Sequence, residues 1–278
     1  MQNMILTSAL ALVACARPTA AADADFQPGA AQDAEIQAVE FDQHHTTFSH
    51  VLAHHVHGDR VDYAALLKER DGLDQYTATL EQVPRADFDR WSEDQRFAFW
   101  VNAYNAYTLQ TVIDHYPVDS IRDIRKGFTG VWDIKFIKLG GLSATSSKEN
   151  ISLNHIEHEI LRKEFSDARV HAAVNCASIG CPPIAGAAFD AEHLDQQLTA
   201  QVHAWLADPA RTRFDREGGR LELSKIFDWF GEDFKRDAGS VRAWVQRYTT
   251  GEDATWLAST DKVKIRHLDY SWKLNDTE

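Results

Sequence analysis

The sequence predicts a single α+β domain, mostly helical, with a small antiparallel sheet around one buried central helix. Three observations carry this. Apolar residues recur at helical spacing in several long segments, strand-like alternation is confined to short runs, and the strand–helix–strand rhythm of a parallel sheet is missing. The 278 residues with 44% hydrophobic content suffice for one sizeable core.

Residues 1–24 have the character of a leader. Met4 to Ala14 is a short apolar run, too short for a permanent membrane span. It ends in Leu12-Val13-Ala14-Cys15, which resembles the bacterial lipobox and makes Cys15 a candidate for lipidation; Ala20 to Ala22 offers a rival cleavage site. Met1-Gln2-Asn3 brings none of the positive charge usual at a leader's start. Residues 25–40 read as a flexible tether and residues 41–278 as the domain. The expectation is an exported protein, periplasmic and lipid-anchored to the outer membrane, or secreted. A net charge of -13 argues against non-specific nucleic-acid or anionic-membrane binding, leaving membrane contact to a lipid on Cys15.

Within the domain, Phe41, Phe48, Leu52 and Val56 predict a first helix, decorated by His44, His45, His50, His54, His55 and His57. His50 and His54 have the spacing of a zinc pair on one helix face, or of a solvated His-rich face, and no paired acidic or Cys ligand stands at a matching distance. Gly58 to Tyr63 turns into a helix, and Leu73, Tyr76, Leu80 and Val83 mark another that Pro84 ends. Ser92 with Gln95 forms a capping box for the clearest helix, apolar nearly all round until Pro117. Asn102 and Asn105 share one side of it, as loop clamps or site residues. Val131 to Lys138 alternates like a strand turned back by Gly140-Gly141, and a helix begins near Ser152. Arg169 to Val174 reads as a strand entering a cysteine loop. Leu194, Leu198, Val202 and Trp205 mark a helix. Glu217 to Arg220 turns a hairpin, and Val263 to Leu274 is a late strand.

Four ordered motifs identify a family. Phe99-Trp100-Val101-Asn102-Ala103-Tyr104-Asn105-Ala106, Tyr116-Pro117-Val118-Asp119-Ser120-Ile121, Ile156-Glu157-His158-Glu159-Ile160-Leu161-Arg162 and His171-Ala172-Ala173-Val174-Asn175-Cys176-Ala177-Ser178-Ile179-Gly180-Cys181-Pro182 resemble the bacterial and plant family called domain of unknown function 547. Leu223 to Phe230 and Glu232-Asp233-Phe234 fit it too, so the resemblance covers roughly Phe48 to Asn275. It implies an exported or lipid-anchored protein and no defined activity. Three features depart from the family. His155 replaces an acidic residue, Ser271 and Lys273 alter the terminal Tyr-Asp-Trp-Ser-Leu-Asn pattern, and the His cluster up to His57 is additional.

The cysteine loop bears on function. As a thiol nucleophile Cys176 would need a base, for which His158 is the better candidate, oriented by Glu157 or Asn102, with Asn175 or backbone amides as oxyanion donors. His171 lies five residues upstream, on the opposite face if the segment is a strand. A base preceding the nucleophile is the order of circularly permuted papain-like hydrolases, an analogy of roles only. The competing expectation is a Cys176–Cys181 disulfide, since two cysteines this close in an oxidising compartment usually pair; a redox pair or metal site is a third. The classes in play are therefore a hydrolase or acyl/amide transferase acting on a peptide or cell-envelope component, and a non-catalytic periplasmic binding or scaffold domain. A zinc hydrolase is weaker, because Glu157-His158-Glu159 lacks the His-Glu-x-x-His spacing. No cofactor is implied. Asn102, Asn105, Glu157, His158, His171, Asn175 and Cys176 are expected to meet in space, as buried polar groups need mutual partners.

Overall fold

Glu93–Ile113 is the axis of the molecule, seen in a computed structural model that describes residues 40–146, 148–260 and 262–277. The leader, Cys15 and the tether up to residue 39 lie outside the described residues. Ser92 accepts the Gln95 backbone N–H at 3.1 Å while the Gln95 side chain accepts the Ser92 N–H at 2.8 Å, closing the expected capping box. From Phe97 to Ile113 every residue except Gln110 is buried, as an all-round apolar helix must be. Helices Tyr63–Lys68 and Asp71–Glu81 pack beside it, and Thr46–His55 packs on those two. Phe48 and Leu52 are buried as their spacing predicts, and Phe48 stacks on Tyr76 with ring centroids 4.7 Å apart.

A second, smaller core gathers Trp205, Phe227, Phe234 and Trp244. Two helices join the cores. Leu194–Ala207 gives Leu194 and Leu198 to the larger core, and Val202, Trp205 and Leu206 to the smaller. Val170–Ala173 sends Val170 and Ala173 one way and Ala172 the other. Strands Thr212–Asp215 and Arg220–Leu223 form the expected antiparallel hairpin. Lys264–His267 then joins Arg220–Leu223 in parallel, because the chain returns through the four helices between Ile226 and Ser259.

Three strand expectations are corrected. Val131 to Lys138 is not a strand: Val131–Asp133 is a 3-10 turn, and only Ile137 pairs, with Ile151. The alternation is nonetheless real in burial, with Trp132, Ile134 and Phe136 half-buried and Asp133 and Lys135 exposed, so it records a one-sided environment without a partner strand. Arg169 to Val174 holds a short helix instead, Val170–Ala173. Asp167 closes the turn before it, its carboxylate taking the Arg169 N–H at 2.8 Å and its carbonyl the Val170 N–H at 3.2 Å. The late strand ends at His267, and the segment beyond becomes a strap. The strap runs along the cysteine loop, with Ile179 N–H on the Lys273 carbonyl and Gly180 N–H on the Ser271 carbonyl, both at 2.9 Å.

Candidate functional site

A cavity of about 170 Å³ opens at the seam between the two cores, where the cysteine loop, the Glu157–His158 turn and the C-terminal strap converge. Glu157, His158, His171 and Cys176 all line it, so four of the seven polar residues expected to meet do so here. The other three stand behind the wall as clamps. Asn102 donates to the Phe189 carbonyl at 2.7 Å and accepts the Phe189 N–H at 3.0 Å. Asn105 donates to the Ala173 carbonyl at 2.9 Å and accepts the Asn175 N–H at 2.8 Å. Asn175 spends its amide on the Pro182 carbonyl (2.9 Å) and the Ala177 N–H (2.8 Å), tying the two ends of the cysteine loop together.

Cys176 and Cys181 are joined as a disulfide, with Cα atoms 6.4 Å apart. Arg211, nearly fully buried, holds this loop from beneath. It donates to the carbonyls of Cys181 and, at 2.8 Å, Ile179, and its charge is balanced by Asp208 and by Asp59 at 3.0 Å. Gly180 is required for the loop's outer packing: a Cβ there would meet the Tyr270 ring at 2.8 Å. Tyr270 thus lies flat on the loop, with its hydroxyl 3.0 Å from Cys176 Sγ, 3.1 Å from Cys181 Sγ and 2.8 Å from Ser178 Oγ. Burial raises the Tyr270 pKa, so the hydroxyl stays protonated.

The turn carrying Glu157 and His158 is a π-helical stretch, His155–Leu161, a form concentrated at functional sites. Tyr104 of the central helix donates to Glu157 Oε2 at 3.1 Å. His158 Nδ1 lies 3.0 Å from an Arg162 guanidinium nitrogen. A guanidinium only donates, so Nδ1 accepts and the neutral ring carries its proton on Nε2. His171 is fixed by Asp233, with Nε2 2.8 Å from Oδ2, and Arg162 Nε meets the same oxygen at 2.6 Å. Burial pulls the His171 pKa below the usual imidazole range, although the Asp233 hydrogen bond opposes this. For Asp233 burial opposes ionisation, but hydrogen bonds from His171 and Arg162 outweigh it and hold the pKa well below the ordinary carboxylate value. The short helix explains why His171 reaches the pocket: the helical turn replaces the strand alternation that would have aimed it away.

The remaining wall is aromatic. Trp229, Tyr270 and Trp272 pack mutually with centroids 4.7 to 5.8 Å apart, and Trp132 abuts Trp272 at 5.4 Å. Trp229 is 45% exposed, unusual for a residue of its size. Phe230 is half-buried, with His171 stacked on it at 4.2 Å and the Arg162 guanidinium 4.7 Å from its centroid. Sequence reading missed these aromatics together with Arg162, Asp233 and Arg211. The signal for some of them was present, since Asp233, Tyr270 and Trp272 sit in the late family-like motifs.

On helix Thr46–His55, His54 turns Nδ1 to the His50 carbonyl at 2.8 Å. Among the described residues no three His, Cys, Asp or Glu side chains gather as a metal site, and no helix is long and apolar enough to cross a membrane.

No curated protein and no solved structure matches this chain, so the papain-like comparison stays one of roles. The family model described as a protein of unknown function, DUF547, matches residues 88–206. That stretch holds the central helix, the π-helical turn and the cysteine loop, while Asp233, Trp229, Tyr270 and Trp272 lie beyond it. The match supports placing residues 88–206 in the DUF547 family, as the sequence motifs imply.

Proposed function

We propose that this chain is an exported, envelope-facing binding domain whose aromatic pocket receives a largely apolar ligand or peptide side chain. One observation carries the reading. The residue that would have been a nucleophile, Cys176, is spent in a disulfide on the pocket's floor, and the polar groups around it are tied to fixed partners. What remains free to meet a ligand is aromatic surface with a few oriented polar atoms, the composition of a recognition pocket. A disulfide also suits the oxidising compartment that the leader implies. The thiol-hydrolase reading keeps one supporting observation, that Cys176, His158 and Glu157 line the same cavity.

Intact mass after alkylation, first without and then with reductant, separates the two. The binding reading expects Cys176 and Cys181 to label only after reduction. Immediate labelling of Cys176, faster than a model thiol at neutral pH and slowed by His158→Ala, would sink it and install an activated nucleophile. Because Trp132, Trp229 and Trp272 border the cavity, ligand entry is read by tryptophan fluorescence, with envelope-derived peptides as the first probes.

A further inference from the structure

We infer that the Cys176–Cys181 disulfide is exchangeable, with Cys176 the sulfur attacked by an incoming thiolate and Cys181 the sulfur that leaves. The inference rests on the pocket being a ligand site, and it names the ligand's chemistry: a peptide dithiol carried on an apolar segment.

The two sulfurs are not equivalent. Both cysteines line the cavity, but Cys181 is 2% exposed whereas Cys176 is half-buried. An attacking thiolate therefore reaches Cys176 first. The Cys176 backbone N–H points at Cys181 Sγ, at 3.1 Å, while the Tyr270 and Ser178 hydroxyls stand near both sulfurs, at 3.0 and 3.4 Å from Cys176 Sγ and 3.1 and 3.6 Å from Cys181 Sγ. Exchange is faster when the departing thiolate is stabilised, and donors fixed in advance where charge develops are the most effective means of doing so. A disulfide serving only as a staple needs neither a cavity beside it nor a backbone N–H aimed at its less exposed sulfur.

The steps balance as follows. A substrate thiol loses its proton to water, and its sulfur attacks Cys176 Sγ. A substrate–Cys176 bond forms, the Cys176–Cys181 bond breaks, and the electron pair passes to Cys181 Sγ. The second substrate thiolate then attacks the substrate sulfur of this mixed disulfide and releases Cys176 as thiolate. The substrate leaves oxidised by two electrons and the pair is left reduced, to be reoxidised by a small-molecule disulfide.

The test uses the oxidised full chain with Cys15→Ser, treated in native buffer with benzyl mercaptan or 2-mercaptoethanol, then acid-quenched and mapped by mass. The expected adduct is on Cys176, with benzyl mercaptan reacting faster. Tyr270→Phe, shown to be folded by circular dichroism, is expected to slow adduct formation roughly tenfold, through loss of one donor to the leaving thiolate. An adduct on Cys181, an even mixture, reaction only in denaturant, or an unaltered Tyr270→Phe rate overturns the inference. Benzyl alcohol, which has no thiol, separates this from the pocket reading. If it perturbs tryptophan fluorescence while no exchange occurs, exchange falls and the pocket stands. If both thiols react equally at Cys176 and the alcohol does not bind, the apolar ligand is overturned together with the pocket.

Discussion

Asn105→Leu tests whether the buried amides of the central helix hold the cysteine loop in place. Asn105 is 3% exposed and makes two hydrogen bonds to backbone: it donates to the Ala173 carbonyl at 2.9 Å and accepts the Asn175 N–H at 2.8 Å. Leucine has the same branched skeleton and is somewhat larger, so no cavity is opened. Both backbone groups lose their partner in a buried place, and each such loss costs about 1–3 kcal/mol. The sum, about 2–6 kcal/mol, is offset in part by the better transfer of an apolar side chain, leaving roughly 2–4 kcal/mol. A domain of this size has a urea slope near 2–3 kcal/mol per molar, so the midpoint is expected to fall by roughly 1–2 M. Equilibrium urea unfolding followed by tryptophan fluorescence reads this directly. Reduction of the disulfide under native conditions should also quicken, because Asn175 precedes Cys176 and its N–H would no longer be anchored. A midpoint within about 0.3 M of the parent would refute the clamp argument, since it would mean that both backbone groups find other partners at no cost.

Two further outcomes are expected. His45 is 1% exposed, its Nδ1 lies 2.7 Å from the Tyr76 hydroxyl, and burial lowers its pKa from 6.5 to about 4. The unfolded chain binds this proton near 6.5 and the folded chain only near 4, so the contribution is complete above the first value and lost as pH falls toward the second. The loss amounts to about 3 kcal/mol. Urea unfolding at pH 7 and pH 4.5 should show a smaller difference for His45→Gln than for the parent, and equal differences would discredit the assignment. His171 and Asp233, both lowered, act in the same direction, below the ordinary imidazole and carboxylate values respectively. Gly180→Ala forces a Cβ to within 2.8 Å of the Tyr270 ring, so Tyr270 must leave the loop, at a cost of about 1–3 kcal/mol. Near-ultraviolet circular dichroism should change in the aromatic region, and an unchanged spectrum would mean that the ring does not rest on Gly180.

What the sequence disclosed and what it withheld divide along the range of the interactions. The central helix was legible because its capping box and its apolar run are local, and the hairpin because Gly218-Gly219 marks its turn. Arg169 to Val174 was misread because six residues span less than two helical turns, too few to tell a period of two from one of 3.6. The turn that leads into its helix is closed by Asp167, which accepts the Arg169 N–H only once the turn has formed. The pairing of the cysteines was likewise open to local reading, since five residues separate them. The chemistry of that pair was not, because the hydroxyl that stands between the two sulfurs, 3.0 and 3.1 Å from them, comes from Tyr270, 94 residues after Cys176. The partner that fixes His171 likewise lies 62 residues away, at Asp233. Spacing therefore settles which cysteines can meet, whereas the fold around the loop decides which sulfur is the more exposed. The functional question turns on this asymmetry. A more exposed Cys176 and a buried Cys181 met by the Cys176 N–H give an incoming thiolate one reachable target and one stabilised leaving group, and Tyr270→Phe is the smallest change that takes a donor from the leaving sulfur without filling the pocket.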